Sequence, residues 1–177
     1  GHITYMRTDS VNLAKDAIAK LASVVEQQFG KDYVQVRAYK TKSKNAQEAH
    51  EAIRPTNPSS ARAGSTPDEV ALYELIRTRS LASMMASARV MRTQGSAVAD
   101  VEIPIFTANG SRVLFPGWLA LATRARGEDV ELPKLIEGEA LALQSLDAEE
   151  KQTEPSNRYT EAGLIKELEK RGIGRPS

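Results

Sequence analysis

"STPDEVALYELIRTRSLASMMASARVMRTQGSA", residues 65–97, changes its hydrophobic period partway along, and that change decides the fold class. Thr66, Pro67, Asp68 and Glu69 open it. A hydroxyl at the cap, proline at the first helical position and glutamate at the third together suit the start of a helix. Val70, Tyr73, Ile76 and Leu81 carry the apolar face on to about Met85. Beyond Ala88 the pattern turns β-branched. "VMRTQGSAVADVEIPIF" (90–106) and "SRVLF" (111–115) predict strands, with Asn109-Gly110 as a hairpin turn.

Upstream, "GHITYMRTDS" (1–10) predicts a short extended segment followed by a helix capped by Asp9 or Ser10. Ala14, Ala17, Ile18, Leu21, Val25 and Phe29 give that helix its buried stripe, and Gly30 ends it. "YKTKSK" (39–44) is polar and basic and predicts a loop. Asn45 with Glu48 resembles a cap pair for a short helix "AQEAHEAI" (46–53), which Pro55 stops. "RPTNPSSARAGSTP" (54–67) is turn-forming and predicts a connection. Downstream, "EALALQSLDAEEKQ" (139–152) predicts a further strand. A last helix runs from near Thr160 to Gly172. Helices, then strands, then one helix make the class α+β in segments. The expected division is a helical domain at 1–88, an antiparallel strand-rich domain at 89–157 and the start of a further helical region at 158–177.

Composition sets the setting. There is no cysteine, which removes disulfides and thiolate metal sites and fits a reducing cytoplasm. No apolar run approaches the roughly 20 residues of a membrane span, and no export signal opens the chain. The formal net charge is only +1, so distribution says more than balance. Basic residues dominate before Ala63, among them Arg7, Lys15, Lys20, Lys31, Arg37, Arg54 and Arg62. Acidic residues dominate from Glu128 to Glu150, and basic ones return after Asn157. An anionic partner would meet the two ends and avoid the middle.

Three stretches carry candidate chemistry. In an extended segment Tyr5 and Arg7 would share a face. A phenol is a weak nucleophile at neutral pH, and a neighbouring guanidinium both favours its ionised form and can clamp a phosphate at two points. That pairing suits tyrosine attack on a phosphodiester. The alternative is a strand tyrosine beside a surface arginine. On a helix, His50 and Arg54 are four apart and could hold one phosphate. The alternative is a solvated face balanced by Glu48 and Glu51. In "ELEKRGIGRPS" (167–177), glycines allow close approach of backbone to a ligand, and Arg171 or Arg175 could meet a phosphate. Gly172 also reads as a helix C-cap, with Lys170 and Arg171 complementing the helix dipole.

Taken in order, "GHITYMRTDS", "QEAHEAIRPT" (47–56) and "YTEAGLIKELEKRGIGRPS" (159–177) resemble the type IA DNA topoisomerases, more the topoisomerase I branch than the topoisomerase III branch. Reverse gyrase stays open on family grounds. The resemblance spans the chain, dense in these three stretches and loose between them. It implies that Tyr5 attacks a phosphodiester of single-stranded DNA and becomes linked to the 5′ phosphate. A second strand then passes, and the freed 3′ hydroxyl attacks back. It implies that Arg7 assists at the scissile phosphate. It also implies that His50, Arg54 and Arg175 contact DNA, while Asp9 orients its neighbours. Magnesium is implied for the whole enzyme, with ligands in a Toprim domain that this chain lacks, so no metal is expected on these residues. The zinc ribbons of many family C-termini would need cysteine. The chain is therefore expected to be an internal part of a monomeric cytoplasmic enzyme, inactive alone. Two other readings stay open: a non-catalytic single-stranded DNA-binding module, and a structural β-domain with a helical attachment.

Overall fold

The computed structural model describes residues 1–8, 10–37, 39 and 50–173. It is α+β, with two compact units, Gly1–Ile136 and Glu137–Ser177.

In the first unit, helix α1 spans Lys15–Phe29 and buries Ala17, Leu21, Val24 and Val25, one stripe at helical spacing. Gly30 ends it with φ 96°, a conformation side chains resist, and its N–H donates to Glu26 O at 2.9 Å. The start differs from the expected cap at Asp9 or Ser10. Ala14 flanks the first turn and no side chain caps it. Ser10 is instead buried, and its hydroxyl accepts from Asn12 N–H at 3.2 Å. Asn12 O in turn accepts from Ala52 N–H at 2.8 Å. These ties hold the segment extended against a distant part of the chain, so helix starts only past it.

Helix α2 spans Pro67–Ser83 with the expected capping box. Glu69 N–H donates to Thr66 Oγ1 at 3.3 Å, and the Glu69 carboxylate accepts from the N–H groups of Ser65 and Thr66 at 2.6 and 3.3 Å. Those two donors, Ser65 first and then Thr66, hold the Glu69 carboxyl below its ordinary value of 4.5 against an opposing effect of burial, with a lesser favourable effect from the neighbouring His2. A carboxyl lowered on folding stabilises the fold above its unfolded value and stops doing so as pH falls through its folded one. Acidification below the ordinary glutamate range should therefore loosen the start of α2. Amide exchange at Ser65 and Thr66 against pH reads this, and Glu69→Gln should flatten the response. An unchanged acid response in that variant would contradict the assignment.

The core joins the two helices. Leu21, Val24 and Val25 pack with Leu81, Met84 and Met85, surrounded by Leu13, Ile18, Phe29, Tyr33, Val34, Trp118, Ala120 and Leu121. Nearer the start of α2, the same buried face carries polar side chains that strap down the 57–60 loop. Tyr73 Oη lies 2.9 Å from Asn57 O and 3.0 Å from Ser60 O, and the buried Arg77 donates from Nε to Pro58 O at 2.8 Å. This strap hands the fold on to residues 50–56.

Strands β1 (Arg89–Ala97) and β2 (Phe106–Phe115) pair antiparallel, with an irregularity between Arg89 and Val90. Two expectations fail here. The strand expected across 90–106 is broken at 98–105, which connects β1 to β2. Asn109-Gly110 is no hairpin turn, because it lies inside β2 opposite Gln94 and Thr93. Gly110 serves a different need. A Cβ there would lie 2.7 Å from Val130 O, so glycine admits the crossing segment that bridges Ser111 to Val130. Asp129 secures that crossing through Val113 N–H at 3.2 Å and Arg126 at 3.3 Å.

The second unit holds helix α3, Glu161–Lys170. Thr160 Oγ1 accepts from Gly163 N–H at 3.1 Å. Gly172 N–H reaches Glu169 O at 3.0 Å and Ile173 N–H reaches Leu168 O at 2.9 Å, the paired closure of a helix on a left-handed glycine, here φ 70°. The strand expected at 139–152 does not form. Leu141, Leu143 and Leu146 are spaced nearly as a strand requires, yet they are exposed, and no ladder partner lies beside them among the described residues. Among the described residues no helix is long and apolar enough to cross a membrane.

Candidate active site around Tyr5

Residues 1–4 and 54–56 form a short antiparallel contact, bridged between Ile3 and Pro55. Thr56 N–H donates to His2 O at 3.0 Å and Thr4 N–H to Arg54 O at 2.9 Å. Thr56 Oγ1 also reaches Gly1 O at 3.0 Å, and the His2 ring meets Tyr73 edge-on at 6.4 Å. Pro55 is fully buried beneath this contact. Residues 50–53 are therefore not helical where the helix "AQEAHEAI" was expected to continue, and the chain bends at Ile53 before Pro55 enters the bridge. Backbone donors that a helix would spend internally go to other segments, Ala52 N–H to Asn12 O for one. His50 and Arg54 consequently do not share a helical face. The cap pair Asn45 and Glu48 lies outside the described residues.

Tyr5 projects from the end of this contact and is 64% exposed. Its ring meets the His50 ring edge-on, centroids 5.9 Å apart. Thr4, Tyr5, Thr8, His50 and Glu51 line an open cavity of about 260 Å³. The extended run stops at Ile3: the chain bends at Thr4 and again at Met6 and Arg7, and Thr8 N–H donates back to Met6 O at 3.1 Å. Arg7 is exposed at that bend. Arg54 lies to the inside. Its guanidinium meets the Glu51 carboxylate at 2.7 Å from Nη2 and 2.9 Å from Nε, and Nη1 lies 3.3 Å from Pro55 O. Tyr5 and His50 are thus brought together, with Arg54 one carboxylate away. Asp9 and Arg175 lie outside the described residues.

Two wall residues, Thr4 and Thr8, carry no role in the sequence reading, whereas Glu51 entered it as a carboxylate balancing the charge of this stretch and does pair with Arg54. Glu51 had a usable signal, standing three before Arg54. The threonines had none, because a hydroxyl in an extended stretch carries no periodic signature. Among the described residues no three histidine or acidic side chains gather where they could hold a metal ion. What the site offers is a solvent-facing phenol on a fixed backbone, an imidazole against its ring and hydroxyls around an open floor.

Comparison with known proteins bears on this geometry. A family model described as DNA topoisomerase matches residues 1–177. DNA topoisomerase 1 of Synechococcus elongatus is 45% identical over the whole chain, which spans 21% of that relative. DNA topoisomerase 1 of Campylobacter jejuni is also 45% identical over the whole chain, which spans 26% of it. The solved full-length topoisomerase I from Thermotoga maritima superimposes with a TM-score of 0.78 at 33% identity, covering 99% of this chain and 28% of that one. The chain thus spans about a quarter of the length of the curated relatives it matches, or less.

Proposed function

The chain belongs to the bacterial DNA topoisomerase family, and on that premise we propose that it carries the strand-cutting tyrosine of a type IA enzyme. One observation supports this reading above the others. Tyr5 stands exposed over an open cavity, on backbone tied to a second segment that brings His50 to its ring. A nucleophile that must meet a polymer needs both access and a fixed position.

The Tyr5 oxygen attacks a phosphorus of single-stranded DNA. The bond from phosphorus to the 3′ oxygen breaks as the phenolic bond forms. The phenol gives up its proton, and the departing 3′ oxygen gains one. A phosphotyrosine diester now conserves the energy of the broken linkage, so the 3′ hydroxyl can reverse the step after another strand has passed. Arg7 holds the scissile phosphate as a two-point donor, and His50 and Arg175 contact the DNA backbone. Asp9 orients its neighbours. Arg54 meets a phosphate by exchanging Glu51 for it, so its contact forms as DNA enters. Residues 1–88 act as the tyrosine domain, 89–157 as part of the strand-rich gate and 158–177 as the start of a helical DNA-binding region. Such an enzyme works as a monomer in the cytoplasm, and carboxylates elsewhere in it bind magnesium. The 177-residue chain alone should leave supercoiled plasmid unrelaxed in magnesium; relaxation that vanishes in its Tyr5→Phe variant would contradict this.

Polarity tests the mechanism. The full-length enzyme is mixed with a single-stranded oligonucleotide labelled at one end and then denatured. The part 3′ of the break should remain on the protein, and the part 5′ of it should leave with a free hydroxyl. The opposite partition would overturn the proposal.

Arg7→Lys keeps the charge and loses the planar fork. A charge-assisted hydrogen bond to the phosphate, removed from the transition state, is worth about 1.5–3 kcal/mol, roughly ten- to a hundredfold in cleavage rate. A lysine variant cleaving at the wild-type rate would remove Arg7 from the phosphate.

A further inference from the structure

We propose that the hydroxyl of Thr4 is a positioning element for Tyr5: it takes over a hydrogen bond that the backbone would otherwise make and so turns the chain out of the ladder at the peptide that leads into the nucleophile. This rests on the reading of Tyr5 as nucleophile.

An antiparallel contact bridged at Ile3 and Pro55 sets Thr4 opposite Arg54. In a regular ladder such residues exchange two bonds, each N–H donating to the other's carbonyl. Thr4 N–H does donate to Arg54 O, at 2.9 Å. The return bond is different. Arg54 N–H donates to Thr4 Oγ1 at 3.0 Å, and that hydroxyl donates onward to Ala52 O at 2.9 Å. One side chain thus satisfies a donor and an acceptor of the facing segment. The Thr4 carbonyl is released from the ladder, and its peptide is free to rotate outward. Tyr5 follows at once, at the cavity and against His50, which lies two residues before Ala52 on that same facing segment. The hydroxyl therefore fixes both partners of the Tyr5–His50 contact from a single point.

A regular ladder would continue past Thr4 if the hydroxyl were removed. Val keeps the shape of threonine and cannot make either bond, whereas Ser keeps both. Misplacing a nucleophile by about 1 Å costs on the order of a hundredfold in rate without weakening binding.

The test uses the full-length enzyme and a single-stranded oligonucleotide, with covalent capture measured in single turnover and noncovalent affinity measured separately. Thr4→Val should cut the capture rate by roughly ten- to a hundredfold with affinity within about twofold. Thr4→Ser should recover the rate to within about threefold. Equal rates for Thr4→Val and wild type, or equal falls for Thr4→Val and Thr4→Ser, would overturn the role of the hydroxyl. Thermal midpoints report folding; if Thr4→Val melts below the assay temperature, Thr4→Ala compared with Thr4→Ser on ice decides in the same way. Tyr5→Phe in parallel separates the two ideas. Capture retained there sinks the nucleophile reading itself, whereas capture abolished there and intact in Thr4→Val sinks only the positioning role.

Discussion

Tyr5→Phe in the full-length enzyme abolishes covalent capture of DNA and plasmid relaxation together. Phenylalanine keeps the ring and its edge-on contact with His50, so the site should stay folded. Only the attacking oxygen goes. Among the described residues the oxygens that line its cavity are engaged, Thr8 Oγ1 by Ser10 N–H at 3.0 Å. Thr4 Oγ1 is engaged with Ala52 and Arg54, and the carboxylate of Glu51 is held by Arg54. Other phenols of the first unit are committed elsewhere. Tyr73 is buried with its hydroxyl on the 57–60 loop, Tyr33 packs against Phe115 at 4.8 Å, and the Tyr39 hydroxyl lies 3.2 Å from Ser83 O. Removing a covalent nucleophile with no stand-in should lower capture by at least about 10⁴-fold, more than about 5 kcal/mol in the barrier. Noncovalent affinity for single-stranded DNA should stay within a few-fold, because a hydroxyl is not what holds the polymer. Denaturing gels read the first quantity and filter binding the second. Capture at even a tenth of the wild-type rate would move the chemistry to another residue.

Gly117→Ala should unfold the first unit at a much lower temperature. Gly117 adopts φ 50°, where an L side chain is strained by about 1–2 kcal/mol. The larger problem is room. A Cβ there would stand 2.4 Å from Ala86 O and 2.7 Å from Ala88 N and the Ser87 carbonyl carbon, all backbone. Backbone cannot swing aside as a side chain tip can. The contact also closes the core: Trp118 N–H donates to Ala86 O at 3.0 Å, Ala86 N–H donates to Tyr33 O at 2.8 Å, and Trp118, Ala120 and Leu121 pack against the core of Met84 and Met85. Forcing this apart adds overpacking to strain, about 3 kcal/mol or more in sum. At roughly 2–4 °C per kcal/mol for a domain of this size, the midpoint should fall by about 6–12 °C. Gly127→Ala is the control, since nothing lies within 4 Å of its Cβ position. Equal midpoints for both variants would contradict the account of this junction.

The elements legible in the sequence are those whose determinants are local. The start of α2 is set by Thr66, Pro67 and Glu69, the end of α1 by Gly30 and the start of α3 by Thr160. Those that mislead depend on distant partners. Asn109-Gly110 is a hairpin signal by composition, yet Gly110 is needed for the approach of Val130, twenty residues away. The leucines of 139–152 are spaced nearly as a strand requires, but a strand exists only with a neighbour to bond. Ser10 could cap a helix and instead binds into a turn that faces Ala52. His50 and Arg54 read as one helical face, and the non-helical 50–56 segment removes that face while setting His50 against Tyr5 by another route. The candidate site is thus reached through residue types that carry chemistry, and its geometry departs from the expectation because spacing reports only local structure.

The central claim is that Tyr5 is the atom-level link to DNA. The most direct measurement is to trap the full-length enzyme on a single-stranded oligonucleotide, digest protein and nucleic acid, and locate the nucleotide-bearing peptide by mass. The account predicts a 5′-phosphonucleotide on Tyr5 within "GHITYMR". The same mass on Tyr33, Tyr39, Tyr73 or Tyr159, on a residue outside this chain, or on none would contradict it.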